Sequence, residues 1–177
     1  MAKVRQSHDE AAYQPRGAAL ALVLATERLI AEHGSASVSL RQITEAAEVA
    51  NVSATQYHFG SRDALMLAVF RYRMGPINQR RLAYLDALEQ EDRLGDMRGL
   101  VCALIYPLAE EIERRAEGNY YVRFLERRSR ENRGETDDVI RTLTSGGLRT
   151  AELLKETIAY FPETIVEFRV RLLIEQQ

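Results

Sequence analysis

Apolar residues recur at helical spacing along nearly the whole chain, and no stretch alternates apolar and polar residues long enough to form a sheet. Leu22, Ala25, Leu29 and Ile30 make one stripe of a helix predicted from near Pro15 to Gly34, where a left-handed cap suits glycine. Ser39 follows as an N-cap, and Gln42 three residues on completes a capping box. Leu40, Ile43 and Ala47 give this second helix, about three turns long, its buried stripe. Asn51 is placed to cap a third short helix over Val52–His58, which Gly60 ends. Ser61 caps the next helix, with Asp63 in its positively polarised first turn and Leu65, Val69 and Tyr72 on its inner face. Gly75-Pro76 is expected to break or kink that helix.

Further helices are expected near 77–93, 96–117, 119–132, 136–159 and 163–177, separated by Gly95, Gly118, Gly134 and Pro162. The charge-dense run 127–138 reads as an exposed helix end and loop. The fold class is therefore all-α. A three-helix domain over residues 1–62, ordered from about residue 16, precedes a larger helical bundle over 63–177.

The second and third helices are joined by a tight turn, as a helix-turn-helix requires. Such a motif lays its second helix in the major groove while flanking elements grip phosphates. The stretch 53-SATQYHFGSRDAL-65 carries suitable chemistry. Asn51, Ser53, Thr55 and Gln56 are polar groups of a size to reach base edges, and glutamine can bond adenine bidentately. Tyr57 and His58 can donate to phosphate oxygens, which positions without reading sequence. His58 is equally able to cap the end of its helix. Arg62 stands in a first helical turn whose free N–H groups also favour an anion, and Arg41 can hold the phosphate across the groove. Phe59 is expected to turn inward.

The passage from Ala18 to Phe70, above all 38-VSLRQITEAAEVANVSATQYHFGSRDAL-65, resembles the DNA-binding domain of TetR-family transcriptional regulators. The matching pieces are Gly34, the opening Ser39-Leu40-Arg41-Gln42-Ile43, the run Tyr57-His58-Phe59, and Ser61-Arg62-Asp63-Ala64-Leu65. Two departures stand out: that family usually has glycine where Glu48 stands, and the turn here is one residue longer. The resemblance implies a homodimer on a near-palindromic DNA operator, released when a small, often apolar effector enters each subunit, and a repressor by role. Ligand and DNA then prefer different states of one equilibrium. It also implies C-terminal helices that pair between subunits, for which Leu143, Leu153, Leu154, Ile165, Phe168 and Leu172 are the candidates. Tyr84, Tyr106, Tyr120, Tyr121 and Phe124 are candidates for lining an effector pocket, although aromatics at helical spacing serve equally as plain core.

Charge agrees with this division. Residues 1–80 hold nine Lys and Arg against seven Asp and Glu, whereas residues 81–177 hold fifteen against nineteen. The first part can approach a polyanion and the second has no reason to. An enzyme is disfavoured: no carboxylate or nucleophile sits beside Tyr57 and His58, and no glycine-rich phosphate loop or nucleophile elbow is present. No cofactor motif occurs, and His8, His33 and His58 lack metal-ligand spacing. The sole cysteine, Cys102, reads as a buried small hydrophobe in a reducing compartment. No apolar run spans a bilayer and no signal segment opens the chain, so a cytoplasmic protein is expected. The alternative is a helical protein-interaction scaffold that does not bind DNA specifically.

Overall fold

The computed structural model describes residues 13–49, 57–113, 120–131 and 138–159. Every regular element among them is helical: α1 Gly17–His33, α2 Leu40–Ala46, α3 Arg62–Gln90, α4 Met97–Glu113, α5 Tyr121–Glu131, α6 Asp138–Leu143 and α7 Ser145–Ile158. A 3-10 turn at Ser35–Ser37 links α1 to α2, and Tyr57–Phe59 is helical as well. The expected start of the third helix at Asn51 and the last helix near 163–177 lie outside the described residues. No described helix is long and apolar enough to cross a membrane.

The two helix starts read from the sequence are formed as expected. Ser39 Oγ accepts from the Gln42 backbone N–H while Gln42 Oε1 accepts from the Ser39 N–H at 2.8 Å, a complete capping box. Ser61 Oγ accepts from Ala64 N–H at 3.1 Å at the start of α3. Three expectations are corrected. Helix α2 spans seven residues, two turns rather than three. Helix α3 continues through Gly75-Pro76 for 29 residues and absorbs the helix expected at 77–93. Buried residues on both sides of the proline, Val69 and Met74 before it and Ile77 and Leu85 after, supply packing that outweighs the ~3 kcal/mol proline penalty. The helix expected over 136–159 is two helices, divided at Thr144, whose ψ of 7° is not helical. Here Asn78 acts as a cap from elsewhere in the chain. Its Oδ1 accepts the Gly146 N–H at 2.8 Å, and its Nδ2 donates to Ser145 Oγ at 3.1 Å.

The chain divides into two compact units. The first joins Met1–Ile77 to Glu111–Leu143, the second Asn78–Glu110 to Thr144–Gln177. In the first unit α5 packs on α1 and on the 3-10 turn. Leu22, Val23, Ile30, Ile43, Leu65, Val69, Tyr121 and Phe124 are fully buried there, and the Phe124 ring meets Phe70 edge-on at 5.3 Å. Within this apolar setting lies a charged triad. Arg73 donates to both carboxylate oxygens of Glu27, at 2.6 and 2.9 Å, and to Glu111 at 3.5 Å. All three are buried. Burial opposes the Arg73 charge, but the hydrogen bonds and charge of Glu27 outweigh it and hold the guanidinium above its ordinary range.

The second unit is organised around Leu85, Leu88, Leu100 and Ala103, with Leu94, Leu153 and Leu154 packed against them. Asp96 caps α4. The Gly99 N–H and the Arg93 guanidinium both bond its carboxylate and hold its pKa below the ordinary 3.8. A depressed carboxyl stabilises the fold above the ordinary value and loses that contribution as pH falls through the folded one. Asp96→Asn, which still caps but carries no charge, should therefore lower thermal stability in neutral solution. The wild-type excess should disappear as pH falls below 3.8. Equal acid slopes for the two proteins in thermal melts would count against this role.

Candidate nucleic-acid interface

The short α2 is fixed at both ends. At its start the capping box aims the first turn outward and leaves Arg41 exposed, with 82% of its side chain accessible. Arg41 pairs with Glu45 one turn on, at 2.9 Å. An exposed pair of this kind is worth ~0.3–0.5 kcal/mol, so Arg41 can exchange its carboxylate for a phosphate at little cost.

At its end α2 closes in a Schellman motif. The Glu48 N–H bonds the Glu45 carbonyl at 3.1 Å and the Val49 N–H bonds the Thr44 carbonyl at 3.2 Å. That motif puts Glu48 at φ 55°, the left-handed region. Here is the physical reason for glycine in the resembling sequences: the position has a backbone that only glycine adopts without penalty. Asp92, after α3, repeats the motif at φ 55°. Glu48→Gly should raise stability by about 0.5–1 kcal/mol, the relief of strain less the added freedom of the unfolded chain. Denaturant titration checks this, and an unchanged or lower midpoint would refute it.

Tyr57 is 87% exposed, unusual for so large an aromatic, and its ring meets the exposed His58 edge-on at 5.4 Å. Phe59 is half-buried. Gly60, at φ 70°, turns the chain into the Ser61 cap of α3. The Arg62 guanidinium donates to the Ser35 carbonyl in the 3-10 turn, tying the start of α3 to the approach to α2. Its Nε has no hydrogen-bond partner among the described residues. Asn51, Ser53, Thr55 and Gln56, expected to face bases, lie outside the described residues. The described part of the interface is thus Arg41, Tyr57, His58 and Arg62, all in the first unit.

The other expected site residues divide between the units. Tyr121 and Phe124 are fully buried and stacked at 6.1 Å in the first, where the half-buried Tyr120 also lies. Tyr84 and Tyr106, with rings 6.5 Å apart, are 36% and 50% exposed in the second. Tyr106 also lines a recess of about 560 Å³ on α4 with Met97, Arg98, Val101, Cys102 and Ile105. Cys102 is half-buried rather than buried, and its hydrogen bond to the Tyr106 phenol pushes that phenol above its ordinary pKa. Leu143 is 6% exposed in its own chain, and Leu153 and Leu154 are half-buried. Ile165, Phe168 and Leu172 lie outside the described residues. Among the described residues no group of three or more His, Cys, Asp or Glu could hold a metal ion.

The sequence reading missed the Glu27–Arg73–Glu111 triad. A signal was present, since Glu27 sits one turn from both Val23 and Ile30 on the buried face of α1. Arg73 likewise continues the Leu65, Val69 row of α3.

A capped two-turn helix, a tight Schellman turn and an exposed Tyr-His pair at a helix end define a helix-turn-helix DNA-binding protein. Residues 22–69 match the model of the bacterial regulatory proteins of the tetR family. The match covers the N-terminal helical domain and supports a DNA-binding transcriptional regulator of that family. No curated protein matches the chain.

Proposed function

We propose that this regulator is a dimeric repressor that leaves a near-palindromic operator when a small-molecule effector binds. Residues 1–62 act as the DNA-binding domain and 63–177 as the effector and dimerisation domain. Arg41, Tyr57, His58 and Arg62 grip phosphates, and Asn51, Ser53, Thr55 and Gln56 read bases. The observation that carries the reading is the outward presentation of Arg41 and Tyr57 from the two helices of a TetR-type domain.

The effector side rests on the recess on α4, whose wall of Met97, Val101, Ile105 and Tyr106 suits an apolar molecule. Tyr84 stands beside Tyr106 as a further lining group. Leu153, Leu154, Ile165, Phe168 and Leu172 form the dimer face in this reading. The protein acts in the cytoplasm, where its DNA is.

Selection of DNA sites by the purified protein from a random pool tests the proposal. Recovery of a near-palindrome with half-sites about ten base pairs apart is the expected result. Sequence-blind binding, or none, would sink it in favour of the scaffold.

A further inference from the structure

Helix α5 carries Arg123, Arg127 and Arg130 at i, i+4 and i+7, so the three side chains share one face. With Ala31, Glu32 and Glu126 they line a recess of about 350 Å³ between α5 and the end of α1. Among the described residues one ion pair closes within the wall, Arg130 with Glu126 at 2.8 Å. Glu32 lies 3.7 Å from His33. Among the described residues neither Arg123 nor Arg127 has an ion-pair or hydrogen-bond partner, and both are exposed.

Like charges one turn apart destabilise a helix, so α5 holds two guanidiniums in an arrangement that is unfavourable until an anion lies between them. Guanidinium forks match the oxygens of a phosphate bidentately, and two of them converging on one recess are selective for that geometry over a monovalent ion. We propose that Arg123, Arg127 and Arg130 form a phosphate-binding site on the first unit, with Arg123 and Arg127 as its principal donors.

The phosphate comes either from a free phosphorylated molecule or from the DNA backbone outside the operator half-site. In the second case the proposal rests on the DNA-binding reading above. Position fits both sources. The recess abuts α1 of the DNA-binding domain, and α5 also touches the 3-10 turn that leads directly into α2. A bound phosphate would neutralise the surplus charge and brace α5 against α1. Glu126 competes with it for Arg130.

The test uses the full chain, Arg123→Gln/Arg127→Gln, and Glu126→Gln, each checked for folding by circular dichroism. Pyrophosphate, compared with sodium chloride at equal ionic strength, is the small-molecule probe in thermal melts and calorimetry. A free-phosphate site predicts a Tm rise of about 3 °C for the wild type at saturating probe. The rise should be absent in the double variant and reached at lower probe concentration in Glu126→Gln.

The DNA arm compares salt dependence on selected-site duplexes of about 20 and about 40 base pairs, the shorter just covering two half-sites. A backbone site predicts that the double variant lowers the log–log salt slope by about two per bound subunit on the long duplex only. Arg41→Ala, in contrast, should lower it on both lengths. Where no duplex is bound selectively, the DNA-binding reading fails and the pyrophosphate arm alone decides. A double variant that matches wild type in both arms overturns the site.

Discussion

Replacing Arg73 by methionine should cost the fold about 3–5 kcal/mol, the usual price of leaving a buried charge without its partner. The substitution strands Glu27, which gives both oxygens to Arg73, and takes one contact from Glu111 on a third helix. Glu27 is 1% exposed, so water cannot replace its lost donors without opening the core. The triad's worth is a separate quantity from that cost. Charges taken out of water repay their desolvation only in part, and well-packed apolar replacements for a whole buried network are often neutral or better. The triple variant Glu27→Met/Arg73→Met/Glu111→Met should therefore recover most of the loss. Denaturant midpoints for the single and triple variants decide this. A single variant within about 1 kcal/mol of wild type would mean that the site admits water or that the carboxylates find other partners.

The double variant Arg41→Ala/Tyr57→Phe should weaken operator binding on the order of 10²-fold at moderate salt while leaving thermal stability nearly intact. Both side chains face solvent. Arg41 gives up only an exposed pair with Glu45, and the Tyr57 hydroxyl is far from any core. If each Arg41 neutralises one phosphate, a dimer loses two charged contacts and the log–log salt slope should fall by roughly 2, the uncharged Tyr57 hydroxyl adding to affinity and not to slope. The slope distinguishes phosphate contacts from base reading, because base contacts change affinity with little effect on counterion release. An affinity loss with an unaltered slope would assign Arg41 another role.

Much of this fold could be read from local chemistry. The caps at Ser39 and Ser61, the glycine stops at Gly34 and Gly60, and the helical stripes of α1 and α3 rest on interactions within a few residues. Where distant residues decide, the sequence reading failed. The local penalty of Pro76 predicts a break or kink, whereas the buried residues that keep α3 continuous belong to two different cores. The division at Thr144 depends on Asn78, 68 residues from the Gly146 N–H that it caps. Arg73 was passed over because a charge on an apolar face has meaning only once its partners on α1 and α4 are known. At the candidate site the residue types and their motif were legible. Exposure was not, and neither was the attachment of Arg62 to the Ser35 carbonyl.

The left-handed positions Glu48 and Asp92 carry an implication for how this sequence has been shaped. Both follow the negative end of a helix, where an acidic side chain is electrostatically unwelcome as well as strained. Glutamate and aspartate codons each lie a single base from glycine, so relief has been mutationally close at hand at both sites. Selection removes only variants that fall below the stability a function requires, and it has no reason to collect every available increment. The chain has thus drifted with two inexpensive gains unclaimed, at exposed positions where laboratory evolution for heat resistance should find them early.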